Sequence, residues 1–148
     1  MAHLASEDNT LHSRRTLSLR FNIPQDKTHQ FWDALREGRF LTTRCVDCDN
    51  ITFPPQADCP GCMSSRHEWV DLGTEAELET FTHVAATPTS FSNSGTYTVA
   101  IGRLQNGLKV LAWVESPPEK LRAGERLKLE ARKSPEGAPY YVFVLREG

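Results

Sequence analysis

The sequence predicts a mainly β protein with one N-terminal helix, a small cysteine-rich lobe and a C-terminal barrel of five strands. Three observations support this fold class. The four cysteines form two closely spaced pairs, helical periodicity is confined to a segment near residue 30, and about five alternating apolar segments follow residue 74. With 148 residues, of which 39% are hydrophobic, the chain has apolar surface for a modest core only.

The N-terminal part divides into a polar segment, residues 1–15, and a strand followed by a helix, residues 16–39. The first segment has mixed charge and is predicted to be a mobile tail. The strand alternates Leu17, Leu19 and Phe21 with polar residues, which gives it one apolar face. No hairpin partner follows it, so this strand packs on its own domain or pairs with another chain.

The predicted helix carries one apolar stripe, formed by Phe31, Trp32 and Leu35, and Gly38 is placed to end it. One interpretation docks this stripe on the chain's own domain. The other reserves it for a protein partner, because a chain this short has little other surface to cover it. Our hypothesis assigns the stripe to partner binding, together with the three apolar residues of the preceding strand.

Residues 40–73 are predicted to form a metal-bound lobe. Two residues separate Cys45 from Cys48, two separate Cys59 from Cys62, and ten lie between the pairs. Each pair can present two thiolates to one ion, and both pairs complete a tetrahedral four-sulfur shell that suits Zn²⁺. With four thiolate ligands no position is left for water or substrate, so we expect a structural zinc. Iron in the same shell and a pair of disulfides are the alternatives, and a cytosolic location disfavours disulfides.

Residues 74–148 are predicted to form a closed five-stranded barrel, for which the OB-fold is the common architecture. Asn106-Gly107 predicts a two-residue hairpin turn between the second and third strands. A segment rich in proline and glycine, residues 134–139, separates the fourth from the fifth. The five predicted strands are residues 75–84, 97–104, 108–115, 126–132 and 140–145.

Charge and hydropathy limit the classes of partner. The 17 Lys and Arg residues are balanced by 19 Asp and Glu residues, which argues against a nucleic-acid-coating protein. A single-stranded nucleic-acid-binding module stays open as the alternative, with Tyr97, Arg103 and Lys109 as its sparse candidate contacts. No apolar stretch is long enough to span a membrane and the first residues do not resemble a secretory signal, so we expect a cytoplasmic protein.

The sequence offers no self-sufficient catalytic motif. It contains no Gly-x-Ser-x-Gly elbow, no phosphate-binding loop, no Gly-x-Gly-x-x-Gly and no His-Glu-x-x-His. The four cysteines are assigned to the metal, so none of them remains as a nucleophile. We therefore expect no independent enzymatic activity and assign no catalytic residue.

Several motifs together resemble the DUF35 family over roughly residues 17–147. The resemblance implies an N-terminal helix, a rubredoxin-like zinc ribbon and a C-terminal OB-fold. The motifs are Phe31-Trp32-Asp33-Ala34-Leu35-Arg36-Glu37-Gly38-Arg39, Arg44-Cys45-x-x-Cys48, Phe53-Pro54-Pro55, Cys59-Pro60-x-Cys62, Trp69, Gly73, Thr80-Phe81-Thr82 and Tyr97-Thr98-Val99-Ala100.

The resemblance also implies a role. Family members are similar to accessory subunits that hold thiolase-like or ketoacyl synthase-like proteins in hetero-oligomeric acyltransferase complexes. The implied chemistry of such complexes is acyl-CoA or C-acyl transfer, including acetylation of phenolic or polyketide acceptors. A contact of this chain with acyl-CoA or the acyl substrate, as part of a channel, is implied as well.

Overall fold

The computed structural model describes residues 22, 24–89, 93 and 95–146. Within these residues one α-helix precedes a small sheet and a barrel. The predicted tail and the strand bearing Leu17, Leu19 and Phe21 lie outside the described residues. The elements are α1 (His29–Arg36), β1 (Leu41–Cys45), β2 (Ile51–Thr52), β3 (His67–Asp71), β4 (Glu75–Val84), β5 (Tyr97–Leu104), β6 (Lys109–Val114), β7 (Arg126–Lys133) and β8 (Pro139–Leu145).

The small sheet has the antiparallel order β2-β1-β3 and carries the cysteine turns at one end. Thr43 on the central strand pairs with Thr52 on one side and Trp69 on the other. Two threonines of β1 are buried, and both have hydrogen-bond partners. The hydroxyl of Thr42 donates to the carbonyl of Thr52, and that of Thr43 accepts from the Gln56 N–H at 3.1 Å.

The remaining strands close a barrel in the order β4-β5-β6-β8-β7, with β7 pairing back to β4. All neighbouring strands are antiparallel except β6 and β8, which are parallel. The predicted mainly β fold with a five-stranded barrel is therefore confirmed. The hairpin is also where it was predicted, but its loop has three residues, because the Leu104 N–H donates to the Leu108 carbonyl at 2.8 Å. Gly107 ends this loop at φ +84°, a conformation that favours glycine.

The barrel interior is filled by aliphatic side chains around Phe143, which is fully buried. The ring lies against Gly102, where an added Cβ would come within 2.6 Å of the Phe143 Cζ atom. This glycine is therefore required by the close approach of an aromatic ring to the β5 backbone. The buried barrel residues around the ring include Leu78, Leu104, Val110, Leu127 and Leu129.

Helix α1 packs on the chain's own core, which corrects the hypothesis that its whole apolar stripe contacts a partner. Phe31 and Leu35 are only 2% and 1% exposed. The Phe31 ring contacts Phe53, from the loop after β2, at 5.8 Å between ring centroids, and Tyr141, from β8, at 6.3 Å. These two residues, distant in sequence, cover the helix and join helix, small sheet and barrel in one aromatic cluster.

The helix is short. It ends as expected near Gly38, which has φ +79°, and the Gly38 N–H donates to the Leu35 carbonyl at 3.0 Å.

No helix in the described part of the chain is long and apolar enough to cross a membrane.

Candidate metal centre

The four cysteine side chains lie together at one end of the small sheet. Their Sγ atoms are all within 4.8 Å of one another. The Sγ atoms of Cys45 and Cys62 are 3.5 Å apart, and those of Cys48 and Cys59 are 3.6 Å apart. A tetrahedral Zn²⁺ site with Zn–S bonds of about 2.3 Å has sulfur–sulfur edges of roughly 3.8 Å. The cluster therefore fits a single tetrahedral zinc ion.

The two cysteine turns have the same backbone geometry. In each turn the N–H of the first cysteine, Cys45 or Cys59, donates to the carbonyl five residues later. The carbonyl of the same cysteine accepts from the N–H four residues later. The residue that donates that second bond has a positive φ, +56° at Asp49 and +62° at Met63. Each turn thus folds tightly enough to direct both of its thiolates towards the same point.

The cluster is buried on one side only. The first cysteine of each turn is buried, at 3% for Cys45 and 8% for Cys59, while the second cysteine of each turn is exposed. The Cys59 Sγ accepts from the Gly61 N–H at 3.4 Å and from the Asn50 side-chain amide at 3.7 Å. Such donors stabilise a thiolate over a thiol. Asn50 was not predicted as part of the site, although its place directly after the first turn is a usable signal.

The hydrogen bonds also change the acidity of the thiols. The backbone N–H of Cys62, with that of Gly61 and the Asn50 amide, lowers the pKa of Cys59 from 9.0 to about 6. The backbone N–H of Asn50 lowers the pKa of Cys48, but hydrogen bonds with the thiols of Cys62 and Cys59 outweigh it and raise that pKa to about 12. Zinc coordinates thiolates, so metal binding at neutral pH must displace protons from this cluster.

Strands β1 and β3 support the turns. His67 pairs with Cys45 across these strands, and its Nδ1 atom is buried without a hydrogen-bond partner among the described residues. The guanidinium of Arg66, the residue before β3, bonds the Asp47 carboxylate, with Nε at 3.2 Å, and so ties the start of that strand to the first turn. The surroundings of the centre are therefore polar, and the aliphatic core lies elsewhere.

The donor set indicates what the metal does. Four thiolates fill a tetrahedral shell, which leaves no open position for water or substrate. Cys45, Cys48, Cys59 and Cys62 would hold the ion, and the zinc is structural: it fixes two loops that have little apolar contact of their own.

The residues predicted to bind a partner differ in their surroundings in the structure. Trp32 is half-buried against the core, and its Nε1 donates to the Gln25 Oε1 at 2.7 Å. A contact of Trp32 with a partner therefore stays a prediction. The others are either buried in the chain's own core (Phe31 and Leu35) or outside the described residues (Leu17, Leu19 and Phe21).

The candidate nucleic-acid contacts are engaged within the chain. The Nζ atom of Lys109 is 2.9 Å from a Glu79 carboxylate oxygen, and Arg103 lies 3.2 Å from the Glu77 carboxylate. Tyr97 stacks on Trp113 with ring centroids 4.7 Å apart. Both cations have carboxylate partners, which offsets the local positive charge that a nucleic acid would need.

Two family models match this chain in succession. Residues 32–68 match the ChsH2 rubredoxin-like zinc ribbon domain, and residues 69–132 match the ChsH2 C-terminal OB-fold domain. Together the two models span more than half of the 148 residues. The first model agrees with the four-cysteine centre and the second with the closed barrel.

Known proteins with the same organisation include both sequence and structural relatives. A DUF35 domain-containing scaffold protein of Pyrococcus furiosus is 28% identical over 106 residues, which cover 70% of this chain and 77% of that protein. The structure of an Ltp2-ChsH2(DUF35) aldolase matches with a TM-score of 0.69 and 22% identity, over 85% of this chain and 98% of that one.

A second structure, of a DUF35 family protein of unknown function from Sulfolobus solfataricus, matches with a TM-score of 0.53 and 19% identity. That match covers 70% of this chain and 77% of that one. Both structures show the same fold as this chain. With a zinc ribbon followed by an OB-fold barrel, the chain belongs to the DUF35 family of ChsH2-like proteins.

Proposed function

We propose that this chain is a non-catalytic, zinc-containing scaffold subunit of a thiolase-like acyltransferase complex. The observation that carries the proposal is the similarity, over 70% of this chain, to a relative named as a scaffold protein, and the zinc ribbon and OB-fold models that this chain matches agree with it. The Ltp2-ChsH2(DUF35) aldolase gives further support, because that protein carries this fold and its name pairs the DUF35 chain with Ltp2 in an enzyme.

The metal centre supports the same proposal. All four cysteines of the chain gather in one cluster that fits a structural zinc, so the metal uses every thiol the chain possesses. A thiolase-like reaction needs an activated nucleophile with a positioned base. In this proposal the partner subunit supplies that nucleophile, and the complex transfers an acyl group from CoA, with a phenolic or polyketide acceptor as one case.

The barrel indicates where substrate could meet this subunit. Its interior is filled by Phe143 and the aliphatic residues around it. A contact with acyl-CoA would therefore involve the outer surface, where the chain could form one wall of a channel whose other walls belong to the partner. We place the complex in the cytoplasm.

The test is purification of the tagged chain from its native host, followed by identification of co-purifying proteins and an acyl-transfer assay. We expect a thiolase-like subunit with a reactive cysteine, and acyl transfer that is lost when that cysteine of the partner is replaced. The isolated chain serves as the control and should be inactive. Acyl transfer by the isolated chain, or a purified assembly without any thiolase-like protein, would refute the proposal.

A further inference from the structure

Two neighbouring strands of the barrel are apolar on both sides. On β5 and β6 one set of alternate residues, among them Ala100 and Val110, packs in the barrel core. The opposite set points outward and is also apolar, except for the charged residues Arg103 and Lys109 at the hairpin end of the two strands. A strand that is apolar on both faces is typical of one covered on both faces. We call the apolar residues of this outward set, with one residue of β8, the outer apolar face: Tyr97, Val99, Ile101, Leu111, Trp113 and Tyr140.

The outer apolar face is continuous. Val99 pairs with Trp113, and Ile101 pairs with Leu111, so these side chains are cross-strand neighbours. Leu111 is 63% exposed, Trp113 37% and Tyr140 40%. Exposed apolar side chains that form one patch indicate an interaction surface, whereas scattered ones need no explanation.

A cleft deepens this face between β6 and β8. The two strands pair at Trp113–Val142 and Val114–Phe143, and no pairing joins the residues before them. The cleft between them measures about 460 Å³ and is lined by Leu111, Trp113 and Tyr140 along with neighbouring residues of both strands. The face therefore offers a concave apolar site that can receive a protruding apolar side chain.

Strand β7 shows that this composition is not a general property of the barrel. Its inward residues Leu127 and Leu129 are fully buried, while its outward residues are all charged. That alternation is usual for a strand with one face in water. The outward residues of β7 are Arg126, Lys128, Glu130 and Arg132.

The charges that border the outer apolar face are paired with one another. Arg103 and Lys109, beyond Ile101 and Leu111 on the same strands, bind Glu77 and Glu79. On the other side Arg132, which pairs with Tyr140 across β7 and β8, binds Glu115 at 2.8 Å and Glu130 at 3.0 Å. On the first side two cations face two carboxylates, and on the other side one cation faces two, so each of these border cations is already matched by a carboxylate.

This arrangement of charges favours a folded protein over a nucleic acid as the partner of the outer apolar face. A nucleic acid needs unpaired cations beside the aromatic residues, because neutralisation of phosphates supplies most of its affinity. A folded protein with an apolar surface needs no such charges, and a ring of paired polar groups around an apolar centre is the usual anatomy of a protein interface. The Tyr97–Trp113 stack, with an interplanar angle of 16°, offers such a partner a rigid aromatic anchor.

We propose that the outer apolar face is the surface through which this chain binds the thiolase-like subunit. The inference rests on the proposed function for the identity of the partner. It differs from the sequence-based hypothesis, which placed the interface on the N-terminal strand and helix. It assigns the interface to the outside of the barrel, with Trp113 and Leu111 as its main contacts.

The test uses the thiolase-like subunit recovered with the native complex, purified and titrated with this chain by isothermal calorimetry. Leu111→Glu and Trp113→Ala should each weaken binding by about 30-fold or more, the scale of an interface hot spot. Gln105→Glu is the matched control, because it adds the same charge as Leu111→Glu at an exposed barrel residue outside the face. It should change the dissociation constant less than about twofold.

Zinc content and melting temperature must match the wild type for a variant to count, and Leu111→Glu meets this requirement most easily because its side chain is largely exposed. Unchanged affinity of both variants would overturn the inference and leave the proposed function intact. If Leu111→Glu instead abolishes self-association in sedimentation velocity, or binding to oligothymidine, while the thiolase-like subunit still binds, the inference is also overturned. Absence of any complex in the wild type refutes the proposed function itself.

Discussion

The zinc ribbon and the barrel reach stable structures by different means. Between the first and last strands of the ribbon, residues 41–71, the buried side chains are Thr42, Thr43, Cys45, Pro55 and Cys59, with no large aliphatic or aromatic residue among them. The large buried residues of the predicted lobe, Phe40 and Leu72, stand at its two ends and belong to the core cluster that includes the barrel. In the barrel, fully buried leucines surround Phe143. Structural zinc contributes roughly 10–16 kcal/mol of apparent binding energy in small zinc-finger peptides, and burial of one large apolar side chain contributes about 1.5–3 kcal/mol. One ion can therefore replace most of a small core.

This difference predicts that a substitution that unfolds one region leaves the other folded. The ribbon depends on four atoms at one point, so loss of one ligand affects all of it. The barrel spreads its stability over many side chains, so loss of one of them leaves the rest. The aromatic cluster around Phe31 is where the two regions meet.

The largest effect is expected from Cys59→Ser. Three thiolates admit water to the metal and leave the buried turn without its ligand, so zinc should be lost and the ribbon should unfold. Elemental analysis should fall from about one zinc per chain to near none, and NMR amide signals of the ribbon should collapse while those of the barrel persist. Val46→Ala, at an exposed residue of the first turn, is the control and should retain zinc. Full zinc content in folded Cys59→Ser protein would contradict the four-thiolate centre.

Acidification should separate the two regions next. The folded pKa of Cys59 is about 6 against an ordinary 9.0, so the stability contributed by its thiolate is present above pH 9 and is lost as the pH falls through 6. Zinc affinity should then fall by about tenfold per pH unit for each proton taken up. A chromogenic chelator should therefore extract zinc more readily as the pH falls through 6, with barrel amides unaffected. Simultaneous loss of ribbon and barrel signals would show that the regions are not independent.

A smaller effect, confined to the barrel, is expected from Phe143→Ala. Removal of a fully buried ring leaves a cavity beside Gly102 and should lower the free energy of unfolding by about 3–5 kcal/mol. Urea denaturation followed by far-UV circular dichroism measures the loss. Zinc content should stay at the wild-type value, and a zinc-free Phe143→Ala protein would argue against separate stabilisation.

The smallest effect is expected at the junction, from Trp32→Phe. The substitution keeps an aromatic ring against Phe31 but removes the hydrogen bond from Nε1 to Gln25, which should cost about 1 kcal/mol. The same urea titration detects it. Gln25→Ala removes the acceptor of both Trp32 and the Thr28 hydroxyl, so the double variant should lose about 1 kcal/mol less than the sum of the two single losses, because the Trp32 bond is counted in both. Fully additive losses would show that this hydrogen bond does not join the two residues.

The sequence predicts the local features of the molecule well. The bounds of β4 and β5 are as predicted, and the cysteine spacing identifies the metal cluster without any structure. These features depend on residues that are close along the chain: alternation within a strand, a glycine at a turn, or two thiols on one loop. The identification of the family rests on the same local motifs.

Contacts between distant residues could not be predicted in this way. The stripe on α1 looked unpartnered because Phe53 and Tyr141, which cover Phe31, lie far away along the chain. Neither the sequence of β6 nor that of β8 contains a pattern that predicts their parallel pairing. The outer apolar face is indicated by the sequence of β5, because both the inward and the outward sets of alternate residues include apolar side chains. That the outward set is exposed is seen only in the closed barrel.

The position of β8 has a consequence for the order of folding during synthesis. The ribosome makes this strand after the helix, the ribbon and the other four barrel strands, yet β8 lies between β6 and β7 and carries Tyr141. The ribbon, whose ligands span only residues 45–62, can capture its ion while the chain is still being extended. The barrel has to wait, since β6 and β7 meet only through β8. Until that strand emerges, Phe31 also lacks its ring contact with Tyr141.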